Sequence, residues 1–186
     1  MRRRCAWVTD DDKYIAYHDE EWGVPRYDDD YLFEMLSLEG AQAGLSWLTI
    51  LKRREGYREV FAHFSIEEVA MFSDEHIEII LRDERIIRNR RKVASVVHNA
   101  RVIERMRRGG ISFSQYIWDF VDGEPIVNEW NDASEVPAST ELSTQMSKRL
   151  KKDGFTFVGP VICYSFMQAV GMINDHTNDC FLANNR

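Results

Sequence analysis

At 186 residues, 44% of them hydrophobic and 12% aromatic, the chain carries material for one good core and too little length for several. No stretch approaches the roughly 18 uninterrupted apolar residues of a membrane span, and no apolar run of signal-peptide length follows the basic start MRRRC. The three cysteines, Cys5, Cys163 and Cys180, are odd in number and scattered. A membrane protein and a disulfide scaffold are thereby excluded, and the expectation is a cytoplasmic monomer with one domain over residues 1–186.

The pattern along the chain is helical almost throughout, because apolar residues recur at spacings of three and four. Asp28 to Asp30 can cap and charge a helix through YLFEMLSL, with Leu32, Phe33, Met35 and Leu36 as its buried stripe. Gly40 and Gly44 then loosen the chain before a helix resumes in LSWLTILKRREGYREVFAHF. Ser65 with Glu68 forms a capping box, and Ser73 opens DEHIEIILRD in the same manner. From Arg88 a basic helix buries Val93, Val96, Val97, Ala100 and Ile103 and stops at Gly109 and Gly110, so its arginines form an outer face. FSQYIWDFV is a short helix, and DGEPIVNEWNDASEVPAST is the one long loop. Ser139 or Thr140 starts the next helix, which ends at RLKKDG. A last apolar helix spans Val158 to Ile173, with Pro160 tolerated in its first turn. The fold class is all-α.

Charge is unevenly placed. Residues 82–108 hold ten lysines and arginines against three acids, a net +7 in a chain of net −7, which leaves −14 elsewhere. Two readings fit such a segment: a nucleic-acid footprint and a solvated helix face. Cys5 and His18 at one end and His176 and Cys180 at the other make a complete tetrahedral zinc set. Their separation in sequence equally allows four unrelated residues. The early aromatics Trp7, Tyr14, Tyr17, Trp22, Tyr27, Tyr31, Phe33 and Trp47 suit either a core or a pocket that stacks a flat heterocycle. Glu39, the one charged residue in SLEGAQAGLSWLTIL, must be exposed, paired or kept for a ligand, since an unpartnered buried carboxylate is costly.

Taken together, CAWVTDDDKYIAYHDEEWGVP, LFEMLSLEGAQAGLSWLTILKRRE, IIRNRRKVASVVHNAR and KRLKKDGFTFVGPVICYSFMQAVGMINDH resemble the DNA-3-methyladenine glycosylase I family, the Tag type. The resemblance runs from Cys5 to Cys180 and rests on strings too long to arise by chance. It implies a helix-hairpin-helix DNA glycosylase-like fold, two helical lobes around a base pocket, with the hairpin region at about 74–108. It implies one structural Zn2+ per chain on Cys5, His18, His176 and Cys180, joining the termini. Glu39 is implied to hydrogen-bond the adenine edge, with Tyr17 and Trp47 lining the pocket and Trp7, Tyr14 and Trp22 close by. Gly44 and Leu45, beside Gln42, fall in the loop that wedges into the gap left by the extruded nucleotide. Arg88, Arg90, Arg91 and Lys92 fall where phosphates are bound.

The implied activity is monofunctional release of 3-methyladenine from alkylated double-stranded DNA by hydrolysis of its N-glycosidic bond. Many relatives in the wider superfamily place an aspartate soon after the hairpin, and none occurs here between Asp83 and Asp119. Two other classes compete: a zinc-stapled DNA-binding module without catalysis, and a hydrolase of small nucleosides. Arg85 stands where many family members have glycine, and an arginine there can reach a phosphate; Pro160 stands where threonine is common.

Overall fold

The structure, a computed structural model, describes residues 2–183. Among them the helices are α1 (Asp12–Glu20), α2 (Asp29–Gln42), α3 (Trp47–Val60), α4 (Ile66–Ala70), α5 (Asp74–Ile80), α6 (Arg90–Arg108), α7 (Phe113–Trp118), α8 (Glu141–Lys152) and α9 (Pro160–Ala169). No helix among the described residues is long and apolar enough to cross a membrane.

The starts of these helices are written locally. Asp11, Asp28, Ser46, Ser65, Ser73, Asn89, Ser112 and Thr140 each accept a hydrogen bond from a first-turn backbone N–H of the helix they precede. At α4 the bond from Glu68 N to Ser65 Oγ is present at 3.4 Å. α9 is the exception, opening on Gly159 with Pro160 in its first turn, where the missing N–H costs nothing.

The apolar stripe of α2 is buried throughout and meets α3, α6, α7 and α9, so this helix runs through the middle of the core. α6 buries Val93, Val96, Val97, Ala100 and Ile103 as its periodicity requires. An ion cluster ties the first three helices together. Arg54 on α3 is 6% exposed and donates to Glu34 on α2 at 2.7 Å and to Glu21, just past α1, at 2.9 Å. Arg58 Nε adds a second bond to Glu34 at 2.8 Å, and the Tyr31 hydroxyl donates to Glu21 at 2.8 Å.

Three expectations change. First, Gly40 does not break the chain: α2 continues through it to Gln42, and a Cβ there would meet Phe157 at an ordinary contact distance of 3.5 Å. Second, the long loop contains a strand, β1 (Ile126–Val127), paired parallel with β2 (Ile173–Asn174), and a 3-10 turn at Ala133–Glu135. The fold is therefore mostly helical, with one two-stranded sheet among the described residues. Third, the last helix ends at Ala169, short of Ile173. The cause is Gly171, at φ +75°, where a Cβ would lie 2.2 Å from Pro25 N.

The connection from α5 to α6 docks on α3. The Ile87 N–H donates to the Tyr57 hydroxyl at 3.1 Å, and Arg53 donates to Glu84 O at 2.9 Å. Arg85 does not take a positive φ. Its guanidinium is held by Asp83 at 2.7 Å and by Glu59, so in this structure it is spent on the fold rather than offered to a phosphate. Gly56 makes the approach possible, since a Cβ there would stand 2.6 Å from Arg85 Cβ.

Candidate active site

The three helices joined by the ion cluster each carry one wall of a cavity of about 430 Å³. α1 brings Tyr14 and Tyr17, the end of α2 brings Glu39 and Gln42, and the start of α3 brings Trp47. Trp7 and Trp22 also line it. The rings touch one another: Trp7 lies 5.1 Å from Tyr14 and 5.0 Å edge-on from Trp22, and Tyr17 lies 5.5 Å from Trp47. All six sequence-derived pocket residues therefore line one space.

Glu39 is 4% exposed, and no hydrogen bond to its carboxylate occurs among the described residues. Burial pushes its pKa up to about 8, because nothing nearby compensates the desolvated charge. Trp47 Nε1 is a second unspent polar atom in the lining, buried with no partner. A cavity with flat walls, one unpaired acceptor and one unpaired donor is suited to a planar heterocycle with a polar edge.

The opposite wall was not read from the sequence. It consists of Tyr164, Ser165 and Gln168 from α9, Asp175 after β2, and Ala133, Val136, Pro137 and Ala138 from the long loop. Asp175 organises it, accepting hydrogen bonds from Asn128 at 2.8 Å, Trp130 at 2.7 Å, Gln168 at 2.8 Å and the Tyr164 hydroxyl. The available signal was a row of polar residues in an otherwise apolar helix, at 164, 165 and 168.

Behind the aromatic wall, Cys5, His18, His176 and Cys180 are all buried, and their ligand atoms lie within 4.8 Å of one another. Cys5 Sγ to His176 Nδ1, Cys180 Sγ to His18 Nε2 and Cys180 Sγ to His176 Nδ1 are each 3.5 Å. Zinc bonds of about 2.3 Å to sulfur and about 2.0–2.1 Å to nitrogen at tetrahedral angles require edges of about that length. The second ring nitrogens are engaged in the manner of metal-bound histidines: His18 Nδ1 with Asp19 at 2.7 Å, and His176 Nε2 with Trp22 O at 3.2 Å. The donor set fits a tetrahedral metal ion. His18 packs on Trp7 at 5.3 Å and His176 on Trp22 at 4.7 Å, so the cluster buttresses the pocket.

At the cavity mouth the chain makes a tight turn. Ala43 has φ −44° and ψ 115°, Gly44 has φ +81°, and Leu45 N donates to Gln42 O at 2.6 Å, which together define a type II turn. Leu45 follows it at 38% exposure. Of the basic residues, Arg88 and Arg91 are exposed and form no ion pair among the described residues, whereas Arg90 pairs with Glu78. Lys92 reaches back to α2, its ammonium donating to Ala41 O at 3.0 Å and Ala43 O at 2.9 Å.

Against known proteins, the family model described as methyladenine glycosylase matches residues 7–183. The chain is 50% identical over 177 residues to DNA-3-methyladenine glycosylase 1 of Escherichia coli, covering 95% of each. It is 47% identical to DNA-3-methyladenine glycosylase of Haemophilus influenzae, covering 97% of each. A crystal structure of 3-methyladenine DNA glycosylase I superposes with a TM-score of 0.94 at 49% identity, over 96% of this chain and 98% of that one. That of the Staphylococcus aureus enzyme, described with 3-methyladenine recognition, gives 0.92 at 39% identity, over 96% and 95%. With identity spread over nearly the whole length, the chain belongs to the methyladenine glycosylase family.

Proposed function

We propose that this chain is a base-excision-repair DNA glycosylase that hydrolyses the N-glycosidic bond of 3-methyladenine in alkylated double-stranded DNA. The observation that carries this reading is Glu39, a buried and unpaired carboxylate facing a cavity walled by aromatic rings. A purine rotated out of the duplex would stack on Tyr17 and Trp47 and present its edge to Glu39. Alkylation at N3 makes the base cationic, so its binding would favour the ionised form of a carboxyl that burial otherwise holds neutral. The carboxylate accepts from the adenine amino group, whereas a guanine carbonyl in the same place would be repelled.

Little further catalysis is required, because a cationic base is already a good leaving group. We read α5, residues 81–89 and α6 as the helix-hairpin-helix, with Arg88, Arg90 and Arg91 near the backbone and Leu45 entering the gap left by the flipped nucleotide. Affinity would then be sequence-independent and fall steeply with salt. Lys92, bonded to two carbonyls, is not presented as a nucleophile, which supports a monofunctional enzyme without strand cleavage. Cys5, His18, His176 and Cys180 would hold one structural zinc per chain; bound there, zinc supplies folding free energy and no chemistry on the base. The reading places the enzyme with its DNA in the cytoplasm, acting as a monomer.

The test is release of free bases from methylated duplex DNA. Purified protein is expected to liberate 3-methyladenine, and Glu39→Gln to lower the rate by about ten- to hundredfold, the loss for one charge-assisted hydrogen bond. An intact, metal-loaded protein that liberates none would overturn the reading.

A further inference from the structure

The lysine of the basic helix is engaged by the protein itself. Lys92 stands in the first turn of α6, yet its ammonium lies against the C-terminal end of α2, with bonds to Ala41 O and Ala43 O. The first is a carbonyl of the last helical turn, where no intrahelical donor remains and a cation is favoured. The second belongs to the turn itself. In a turn over Gln42, Ala43, Gly44 and Leu45, the peptide between Ala43 and Gly44 is the one whose orientation separates type I from type II. Its oxygen is Ala43 O, the atom that Lys92 holds.

We infer that Lys92 is a positioning residue that ties the type II turn before Leu45 to α6, setting the wedge at the pocket mouth, rather than a phosphate ligand. Gly44 fixes the turn itself. Its φ of +81° is what the third position of a type II turn demands, and its missing Cβ faces open space, so conformation rather than crowding selects glycine there. Neighbours leave the loop few other restraints: Ser46 caps α3 on one side, and the Leu45 N–H bond to Gln42 O closes the turn on the other. Without the two bonds the turn over Gln42 to Leu45 would lose its tie to α6, and Leu45 would be free to swing at the pocket mouth while the helices stay in place.

The inference rests on the functional reading only in taking DNA as the partner. Its test uses a duplex with a tetrahydrofuran abasic analogue flanked by 2-aminopurine, whose fluorescence reports unstacking by the wedge, together with affinity for undamaged duplex across a salt series. For Lys92→Met, the slope of log K against log salt is expected to stay as in the unsubstituted protein, while the unstacking signal is lost and 3-methyladenine release falls about ten- to a hundredfold. Gly44→Ala disturbs the same turn without removing a charge and is expected to give the same pattern. The double variant should be no worse than either single one, because both act on one turn.

A slope that falls by about 0.9, the signature of one lost phosphate contact, overturns the assignment. An unstacking signal that survives Lys92→Met, or additive losses in the double variant, overturns it too. Should Lys92→Met fail to fold, an unstacking signal retained in Gly44→Ala refutes it alone. Unsubstituted protein that unstacks 2-aminopurine in a Lys92-dependent way but releases no 3-methyladenine would instead sink the functional reading and leave the turn assignment standing.

Discussion

Glu39 is held ready at a cost to the empty protein. A carboxylate whose pKa is pushed up to about 8 by burial is neutral in the folded chain at acidities where the unfolded chain would ionise it. Its contribution to stability is therefore fully present below the unfolded value, near 4.5, and is lost as pH rises through about 8. Glu39→Gln removes this dependence. Urea titrations from about pH 5 to about pH 9 should find the wild type losing stability relative to the variant, by on the order of 4 kcal/mol at most. A difference that stays flat would mean that the carboxyl is better solvated than its 4% exposure implies. Arg54 is the opposite case, a buried charge compensated on both sides by Glu34 and Glu21. Arg54→Met would leave Glu34 buried with only Arg58 for company, and a loss of about 3 kcal/mol is expected in the same titrations.

Helix starts were legible at the level of the element, whereas their ends and neighbours were not. A cap is a hydrogen bond between a side chain and a backbone two or three residues away, so Asp28, Ser73 and Thr140 announce themselves in the sequence. Gly171 ends its helix because residues 24 and 25 occupy the space of its Cβ, and nothing within ten residues records that. Gly171→Ala should thus cost about 3 kcal/mol or more, the added atom meeting rigid backbone at a strained φ. Gly56→Ala should cost less, about 1–3 kcal/mol, by pushing the connection at Arg85 away from α3. Thermal melting of both variants checks the order. The strand in the long loop escaped notice for a related reason: two residues give no periodicity, and Ile126–Val127 is defined only by its partner Ile173–Asn174.

Over the whole molecule, the two ends of the chain meet at the proposed metal centre. Phe181 N donates to Arg3 O at 2.9 Å and Arg3 pairs with Asp179 at 2.7 Å, so the cysteine and histidine pairs are brought together by contacts that need no metal. Stripping the metal with a chelator should lower the melting temperature markedly. Cys180→Ser should destabilise the fold while leaving the preference for 3-methyladenine over other bases unchanged, measured on the same methylated DNA. A melting temperature indifferent to chelation would mean that the four side chains pack without an ion. The basic segment is less free than its charge suggests. Arg85, Arg90, Lys92, Arg101 and Arg107 each bond to protein groups, whereas Arg82, Arg88 and Arg91 are exposed and form no ion pair among the described residues.

The order of amino acids already marks the chemically unusual residues: a carboxylate in an apolar run, rings with polar handles, paired thiols and imidazoles, and a block of arginines. It determined most helix starts as well, because caps and amphipathic stripes are local. It took the folded chain to leave Glu39 without a partner among the described residues, to build the far wall on Asp175, and to set Lys92 against the turn after a different helix. Those are relations between segments distant in the chain. Burial and hydrogen bonding at such places depend on which backbone arrives from elsewhere, and no short-range pattern encodes that arrival.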